Sequence, residues 1–554
     1  MSDHATEKTP SIVPYLHGER FPLLVILGFF IFAGWLVSPL RDVPVNDDWT
    51  YAWSVEHLLE TGQLAVLDWS ANYPILQILW GSLFSLPFGF SFGALRLSTL
   101  VLAVSGCGAL YLTLRELDLD RQRSLVGALV LAANPVFFAL SFTFMTDVPF
   151  LSMLNLALLC YIAGVKRERQ SLLWAGGAFA AAAFLSRQIG ILIPLVLLPY
   201  LFQKTESWAD FLRRLLPVAV SLLGMALLWL WLLHSLGRTS VMVAKLEPVR
   251  YLTTLSLFEY FKINLALLFE IAFSVFPLLI AMIGWKPRSW PISILLCTVG
   301  GAGLLWWCHG EVASPLPGGR IWTLDELCDV RGLIHGELST SGSTDSWSLA
   351  ARLLMLISTA ILVAGMLRMG FKTVSKMGMP AKVMTTSGFL QLGLINVLWF
   401  YYDRYYLVLL PSLIYLCSKL SVKAGGSRAI ALTGISLLAG VSISGTWDVL
   451  RFNQACADAF DQLRARGVPA AEIDAGYSLT GWMLYAHPEN LAPGETVAHD
   501  VPWVTSRKEQ PYVISNTPIP GYETLEEISW KGSLWAVSNR LYVLHKQDPQ
   551  SRPM

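Results

Sequence analysis

The sequence predicts an all-α polytopic membrane protein with a small mixed α/β domain at its C-terminal end. Of the 554 residues, 54% are hydrophobic and only 14% are charged, whereas soluble domains are about 25% charged. The apolar residues form about thirteen blocks, each close to the roughly 20 residues that a helix needs to cross a bilayer. The formal net charge is +1, so no nucleic-acid partner is predicted.

Basic residues between the apolar blocks predict how the chain is threaded through the membrane. Lys and Arg accumulate in cytoplasmic loops, and every second loop is basic here, as in 115–123 and 166–169. Residues 1–20 are therefore expected in the cytoplasm, and residues 21–446 form a multi-span domain of the inner (plasma) membrane. The predicted spans are 21–38, 93–113, 124–142, 149–164, 171–186, 189–203, 215–234, 263–284, 290–307, 349–368, 384–402, 406–420 and 428–446.

The first apolar block is expected to remain in the protein as a span. Ser38-Pro39-Leu40-Arg41 follows it, and no small-residue cleavage pattern is present. The same threading places residues 447–554 outside the cytoplasm. An amphipathic run, Val449–Leu463, and alternating runs such as Leu534–Val537 and Leu541–Leu544 predict a helix and strands in this domain.

Two long outer loops, 39–92 and 308–348, hold most of the remaining polar residues. The first predicts helices that lie at the membrane interface. The second contains Cys308 and Cys328, which we interpret as a disulfide, because their spacing with the neighbouring histidines fits no compact zinc pattern. No metal ligand and no firmly bound cofactor are predicted, and the sequence neither requires nor excludes a divalent ion.

Acidic and basic residues that are remote along the chain fall on the same predicted membrane face. Ionisable groups at membrane depth are costly and usually functional. The acids, which are candidates for acid–base work, are Asp47, Asp48 and Asp147. The candidate phosphate-binding residues are Arg187, Arg404 and Arg96. The candidate substrate-lining residues are Gln188, Tyr51, His57 and Asp403.

This set of residue types suits a sugar donor that carries a lipid-linked phosphate. Planar guanidinium groups bind phosphate through two parallel hydrogen bonds, and a carboxylate accepts the proton of an attacking hydroxyl. A lipid tail would also explain a membrane enzyme, because the substrate arrives sideways from the bilayer. Either Asp47 or Asp48 would serve as the base.

Each candidate also has a purely structural interpretation. Asp48 and Asp147 each stand where they would cap a helix. Arg187 and Arg404 would reach ordinary lipid headgroups by extending along the membrane surface. Asn134-Pro135 indicates a kink and not a site.

Several short motifs resemble the GT-C glycosyltransferases, in particular the dolichyl-phosphate-mannose protein mannosyltransferases and the bacterial aminoarabinose transferases. The acidic pair precedes an aromatic-rich helix that ends in Leu58-Leu59-Glu60-Thr61-Gly62, and residues 20–200 carry most of the resemblance. The other matching motifs are Ala94–Leu97, Phe144–Pro149, Ser186–Gly190 and Asp403–Leu407. The chain departs from many relatives at two points. It has Asp47-Asp48 where they often have an Asp-Glu pair, and Asn72-Tyr73-Pro74-Ile75 where they often have a Pro-Pro segment.

The resemblance implies a GT-C-like fold and transfer, with inversion, from a polyprenyl-phosphate monosaccharide. It implies that Asp47, with Asp48 as the close second, is catalytic. It also implies that Asp147 supports it or orients the acceptor, and that Arg187 contacts the donor phosphate. The implied partners are the lipid-linked donor, membrane lipids and a hydroxyl acceptor on a glycolipid, polysaccharide or protein.

The main competing function is a transporter or lipid flippase. Such proteins place polar sites near the bilayer midplane, often with inverted repeats and broken helices, but these polar groups cluster at outer span ends without a detectable repeat. A non-catalytic scaffold would leave the outer acids and arginines without a role. The sequence also lacks a P-loop, which argues against an ATP-driven pump.

Overall fold

The computed structural model shows a mostly helical chain with a small C-terminal sheet. It describes residues 18–203, 205, 207–245, 257–281, 354, 356–367, 376–397, 403–424, 427–491, 493–494, 510–532 and 540–547. The α-helices are α1 (Arg20–Val37), α2 (Asp48–Thr61), α3 (Ile75–Phe88), α4 (Phe92–Glu116), α5 (Arg121–Ala132), α6 (Pro135–Ser141), α7 (Asp147–Lys166), α8 (Gln170–Ser186), α9 (Leu198–Leu201), α10 (Trp208–Leu236), α11 (Ser240–Lys245), α12 (Leu257–Ser274), α13 (Phe276–Ile280), α14 (Leu356–Leu367), α15 (Met379–Ile395), α16 (Leu410–Ala424), α17 (Arg428–Ala465) and α18 (Tyr477–Thr480). Two 3-10 helices, Gln188–Leu197 and Asp403–Leu409, interrupt the sequence of α-helices.

Within those described ranges, five helices are long and apolar enough to cross a membrane. They are α1, α4, α7, α10 and α17. A sixth span results if α5 and α6, which meet at 68°, are counted together. Several apolar spans are thus confirmed, while the total of about thirteen stays a prediction, since the span expected at 290–307 lies outside the described residues.

The bend between α5 and α6 confirms the kink that Asn134-Pro135 predicted. The Asn134 side chain accepts a hydrogen bond from the Phe137 amide at 3.0 Å and so caps α6. Pro135 occupies the first turn of α6, where a missing amide hydrogen costs nothing. The two residues therefore end one helix and start the next in a new direction.

Small residues allow α7 to pack closely between α4 and α8. A Cβ added at Gly106 of α4 would lie 2.9 Å from the Ser152 Cα atom of α7. At Gly176 of α8 it would overlap the Tyr161 ring. Such close approach suits helices in lipid, where packing and not water exclusion drives association. The central position of α7 holds its first residue, Asp147, at the end of the bundle.

The C-terminal sheet has the strand order β1 (Ile473–Asp474), β2 (Tyr512–Ser515), β4 (Arg540–Lys546), β3 (Tyr522–Ser529). The β1–β2 pair is parallel, and β4 is antiparallel to both of its neighbours. The predicted strand Leu541–Leu544 lies within β4, whereas Leu534–Val537 falls outside the described residues.

Helix α17 joins the bundle to this sheet without a break. The sequence predicted a span ending at residue 446 and a separate amphipathic helix from Val449, but α17 runs through both as 38 residues. No proline lies at the junction, and the helix continues through Gly445. Its second half buries Phe452 and Phe460 against Ile514 and Val543 of the sheet.

Arg96 fastens the extended segment between α1 and α2 to the bundle. Its side chain is fully buried in α4, and its guanidinium donates to the carbonyl oxygens of Arg41 at 2.6 Å and Pro39 at 3.3 Å. A further hydrogen bond reaches the Val43 carbonyl, and the Asp48 carboxylate lies 3.8 Å away. The guanidinium thus determines where the chain enters α2.

Asp48 is also fully buried, and it lies beside the Arg96 guanidinium that holds this segment. Its Oδ1 accepts a hydrogen bond from the Val45 amide at 2.7 Å, and α2 begins without a side-chain cap. Burial raises the pKa of Asp48 to about 7, outweighing the charge of Arg96 and the hydrogen bonds from the Val45 and Phe144 backbones.

We expect Arg96→Met to lower the free energy of unfolding by about 3–5 kcal/mol, because three carbonyl oxygens and a buried carboxyl would lose their partner. The matched control is Arg466→Met, whose exposed pair with Glu526 at 2.7 Å should contribute at most about 1 kcal/mol. Unfolding in detergent measures both. Equal stability of the two variants would contradict the structural role of Arg96.

Candidate functional site

Two carboxylate–guanidinium pairs meet at one end of the helical bundle. Asp147 pairs with Arg187, and the Oδ2 atom of Asp47 lies 3.4 Å from the Arg404 guanidinium. The basic loops lie at the opposite ends of the same helices, where Lys166 contacts Asp118 at 2.7 Å. The helices thus separate the two groups of charges.

Helix ends hold each of these four side chains. Asp47 immediately precedes α2, and Asp147 is the first residue of α7, so both acids lie near helix N-termini, where negative charge is stabilised. Arg187 is an extended residue between α8 and the following 3-10 helix. Arg404 lies in the 3-10 helix that precedes α16.

Neither Asp47 nor Asp147 acts as a helix cap, although Asp147 was a candidate for one. Thr146 is the N-cap of α7, and no side chain caps either helix. The Asp147 carboxylate instead contacts Arg187, and its Oδ2 atom is buried without a hydrogen-bond partner among the described residues. This oxygen is therefore free to accept a hydrogen bond from a bound molecule.

Tyr51 connects the two pairs electrostatically. It is a buried residue of α2, and its hydroxyl lies within the electrostatic reach of Asp47, Arg404, Arg187 and Asp147. Burial raises the pKa of the Tyr51 hydroxyl, so the phenol stays protonated and can donate or accept a hydrogen bond. The predicted neighbourhood of Tyr51 and the four charged residues is thus present.

A cavity of about 240 Å³ opens beside the two pairs. Its polar lining, here called the polar wall, combines three of the four pairing residues with further donors. The polar lining residues are Asn72, Asp147, Arg187, Gln188, Arg238, Arg404 and Tyr405. The apolar lining residues include Phe150, Ile189, Trp229, Leu233, Met242, Leu394 and Val408. The cavity therefore combines positively charged and apolar lining residues.

Hydrogen bonds keep the polar wall rigid. The Gln188 side chain accepts from the Tyr73 amide at 3.3 Å and donates to the Tyr73 carbonyl at 3.1 Å. The Asn72 amide donates to the Ser186 carbonyl at 3.1 Å. The Arg187 guanidinium lies 5.3 Å from the centre of the Tyr405 ring, which adds a cation–π contact.

Several predicted site residues do not line the cavity, and these include Asp47 and Tyr51; Asp47 adjoins the cavity through its contact with Arg404. Asp48 and Arg96 are buried in the fastening described above, and His57 stacks on Trp53 with ring centres 4.9 Å apart. The backbone of Asp403 begins a 3-10 helix, but its side chain lies outside the described residues. Cys308 and Cys328 also lie outside them. In the described part of the chain, no group of three or more potential ligands could hold a metal ion.

Sequence reasoning missed three residues of this region. Arg238, an exposed residue at the cavity, follows α10 in a predicted outer loop, and a basic residue there departs from the positive-inside pattern. Tyr477 donates a hydrogen bond to Asp47, and Trp69 donates to the Tyr477 hydroxyl at 2.8 Å. No sequence pattern indicates that Trp69 and Tyr477 meet, because 408 residues separate them.

A histidine pairs the C-terminal domain with α2 near the site. His487 Nε2 lies 3.2 Å from the Glu56 carboxylate, and Nδ1 lies 2.9 Å from the Glu489 carboxylate. These two hydrogen bonds, with Glu56 the larger contributor, raise the pKa of His487 above its usual range. Protonation of His487 therefore strengthens the contact between the domain and α2.

The comparisons with known proteins agree with the motifs found in the sequence. Residues 74–234 match the family model for dolichyl-phosphate-mannose-protein mannosyltransferase, a stretch that contains Asp147, Arg187 and Gln188. This match confirms the predicted resemblance to the GT-C glycosyltransferases. No curated protein sequence matches the chain.

Three solved structures illustrate the relatives found by structural comparison. ArnT from Cupriavidus metallidurans, bound to undecaprenyl phosphate, is 13% identical; 96% of this chain and 99% of that chain are covered, with a TM-score of 0.48. The S. cerevisiae protein O-mannosyltransferase Pmt1–Pmt2 complex, bound to the sugar donor, is 16% identical; 39% of this chain and 34% of that chain are covered, with a TM-score of 0.33. The Archaeoglobus fulgidus oligosaccharyltransferase AglB, in complex with an inhibitory peptide and a dolichol-phosphate, is 16% identical; 79% of this chain and 58% of that chain are covered, with a TM-score of 0.39. The chain thus spans less than two thirds of the last two relatives.

We expect the stability that His487 contributes to depend on pH. Because its folded pKa is raised, this contribution is complete below the unfolded pKa of about 6.5 and is lost as the pH rises through the folded value. The unfolding temperature of the wild type should therefore exceed that of His487→Gln at low pH, and the difference should shrink at high pH. His545→Gln, on β4 away from this contact, is the control. A difference that grows with pH would contradict the pairing.

Proposed function

We propose, from the resemblance of this chain to the GT-C glycosyltransferases, that it is a membrane glycosyltransferase using a polyprenyl-phosphate monosaccharide donor. One observation carries the proposal: two carboxylate–guanidinium pairs, Asp47–Arg404 and Asp147–Arg187, meet at one cavity, which Asp147, both arginines and several apolar side chains line. The family match over residues 74–234 supports it.

The cavity suits a donor that is anionic at one end and apolar at the other. Arg187 and Arg404 each already face one carboxylate. Arg238, which is exposed and also lines the cavity, forms no ion pair with any residue in the described part of the chain. Arginines can bind a phosphodiester through paired hydrogen bonds. Trp229 and Met242 offer the polyprenyl tail an apolar surface beside them.

In the proposed reaction the acceptor hydroxyl attacks the anomeric carbon of the sugar. Asp47 takes the hydroxyl proton as the acceptor oxygen forms its bond to that carbon. The bond between the anomeric carbon and the phosphate oxygen breaks, and its electron pair leaves with the polyprenyl phosphate. The nearby guanidinium groups of Arg187 and Arg404 stabilise the negative charge that develops there. Attack opposite the leaving phosphate inverts the anomeric carbon.

Exposure distinguishes the two neighbouring aspartates as candidates for the base. The Asp47 side chain is 25% exposed, whereas Asp48 is 0% exposed and lies against Arg96. Only a carboxylate that a substrate can reach can accept its proton. This contrast supports Asp47 as the base, while Asp147, with its unpartnered Oδ2 atom, would orient a substrate hydroxyl.

We place the reaction on the non-cytoplasmic face of an inner (plasma) membrane, with the N-terminus in the cytoplasm. The basic loops at the opposite helix ends support this orientation, because they would stay cytoplasmic. The acceptor would be a hydroxyl of a glycolipid, a polysaccharide or a protein on that face.

We expect Asp47→Asn to lower the transfer rate by about 10²- to 10⁴-fold, because an amide cannot accept the hydroxyl proton. The assay follows radiolabel from a panel of undecaprenyl-phosphate sugars into acceptors of the native membranes. Glu60→Gln is the matched control, since it neutralises an exposed carboxylate on the same helix. Full activity of Asp47→Asn would remove Asp47 as the base, and movement of the labelled lipid across the bilayer without transfer would favour a flippase.

We expect Arg187→Gln to weaken binding of undecaprenyl phosphate at least about 10-fold, since a charged hydrogen bond to phosphate contributes roughly 1.5–3 kcal/mol. Binding is measured by titrating the purified protein in detergent. Arg169→Gln, before the other end of α8, is the control and should bind the lipid normally. Equal affinities of the two variants would exclude Arg187 from the phosphate site.

A further inference from the structure

The C-terminal domain reaches the candidate site through one short stretch, residues 477–487, here called the docking segment. It consists of α18, a π-helical turn (Gly481–Ala486) and His487. It packs on α2, the helix that Asp47 immediately precedes. The domain and the site are therefore in direct contact.

Trp49 of α2 is the centre of this contact. Its side chain is fully buried, with ring centres 6.0 Å from Tyr477 and 5.7 Å from Tyr485. Gly481 lies flat against the Trp49 ring, since a Cβ added there would be 2.6 Å from a ring atom. The absence of a side chain at position 481 therefore permits the segment to approach α2.

Two further contacts hold the middle and the C-terminal end of the docking segment. Trp482 packs edge-on against Phe92 at the start of α4, with ring centres 5.1 Å apart. His487 pairs with Glu56 as described above. The segment is thus held against α2 and α4, and the rings of Trp49 and Trp69 contact Tyr477 at its first residue.

The Tyr477 hydroxyl lies between Trp69 and Asp47, and the direction of the two hydrogen bonds is fixed by chemistry. An indole nitrogen can only donate, so Trp69 Nε1 donates to the Tyr477 oxygen at 2.8 Å. A carboxylate can only accept, so the Tyr477 hydroxyl donates to Asp47 Oδ1. The indole thereby orients the hydroxyl proton of Tyr477 towards the carboxylate.

Both oxygens of Asp47 are then held from opposite sides. Oδ1 accepts from Tyr477, and Oδ2 faces Arg404 at 3.4 Å. An ionised carboxylate has about four acceptor positions, so two contacts leave capacity for a substrate proton. These contacts restrain the Asp47 rotamer without blocking its function as a base.

We infer that Tyr477 is a positioning residue, contributed by the C-terminal domain, that holds the Asp47 carboxylate in the orientation needed for proton transfer. The inference rests on the proposed function. Tyr477 is not among the residues that line the cavity, and its hydroxyl donates to Asp47. The site is therefore incomplete until the docking segment packs on α2, and the domain is part of the catalytic unit.

Tyr477→Phe removes the hydroxyl and keeps the ring. In the radiolabel assay we expect kcat to fall about 10- to 100-fold, because small misplacements of a catalytic group have large effects. The KM for the undecaprenyl-phosphate sugar should stay within about 2-fold, since Tyr477 does not contact the cavity. Tyr485→Phe, which keeps the neighbouring ring on Trp49 and Trp69, is the matched control and should retain activity.

A wild-type kcat in Tyr477→Phe would overturn the inference. So would equal changes in Tyr485→Phe, or a fall in kcat accompanied by a large rise in KM, because either result would indicate general loosening of the domain. Trp69→Phe gives a second test that leaves Tyr477 in place. It should also lower kcat, since the Tyr477 hydroxyl loses the donor that orients it.

A double-mutant cycle in unfolding tests the contact without any transferase assay. Tyr477→Phe and Asp47→Asn should show non-additive changes in the free energy of unfolding, because each removes the same hydrogen bond. Additive changes would overturn the inference even in an active enzyme. A wild type that transfers no sugar, with a non-additive cycle, would refute the proposed function and the positioning role while leaving the contact itself established.

Discussion

The architecture of the site depends on pairing charges that the membrane environment does not tolerate alone. An unpaired ion in a low-dielectric interior costs several kcal/mol, so each buried acid must face a cation. Each pair also joins elements that are distant in sequence, and this ties α2, α4, α7, α8 and the 3-10 helix before α16 together. The pairs are Asp48–Arg96, Asp147–Arg187 and Asp47–Arg404.

Adjacent aspartates acquire different environments because a helix begins between them. Asp48 is the first residue of α2 and points into the bundle, where Arg96 and the Val45 amide surround it. Asp47 precedes the helix, stays partly exposed and contacts residues from remote parts of the chain. Asp48 therefore stabilises the segment that carries Asp47. The structural role belongs to Asp48, and the proposed chemical role belongs to Asp47.

The C-terminal domain is built into the bundle at two places. The continuous helix α17 carries the chain from the bundle onto the sheet, and the docking segment returns to α2. A domain fixed at two points cannot move independently of α2, so its residues can act within the candidate site. This geometry gives the domain a role that a recruiting scaffold would not need.

The sequence by itself determined the features that depend on local chemistry. Apolar block length predicts membrane helices, Asn134-Pro135 predicts the bend, and the motifs around Asp147 and Arg187 carry the family resemblance. The choice between Asp47 and Asp48 was open, because two neighbouring carboxylates differ only in burial. Tertiary structure alone left Asp47 partly exposed and Asp48 fully buried, kept Arg96 out of the cavity lining and brought Tyr477 to Asp47 across 430 residues. These are contacts between remote segments, and no local pattern of residues encodes which side chains meet when helices pack.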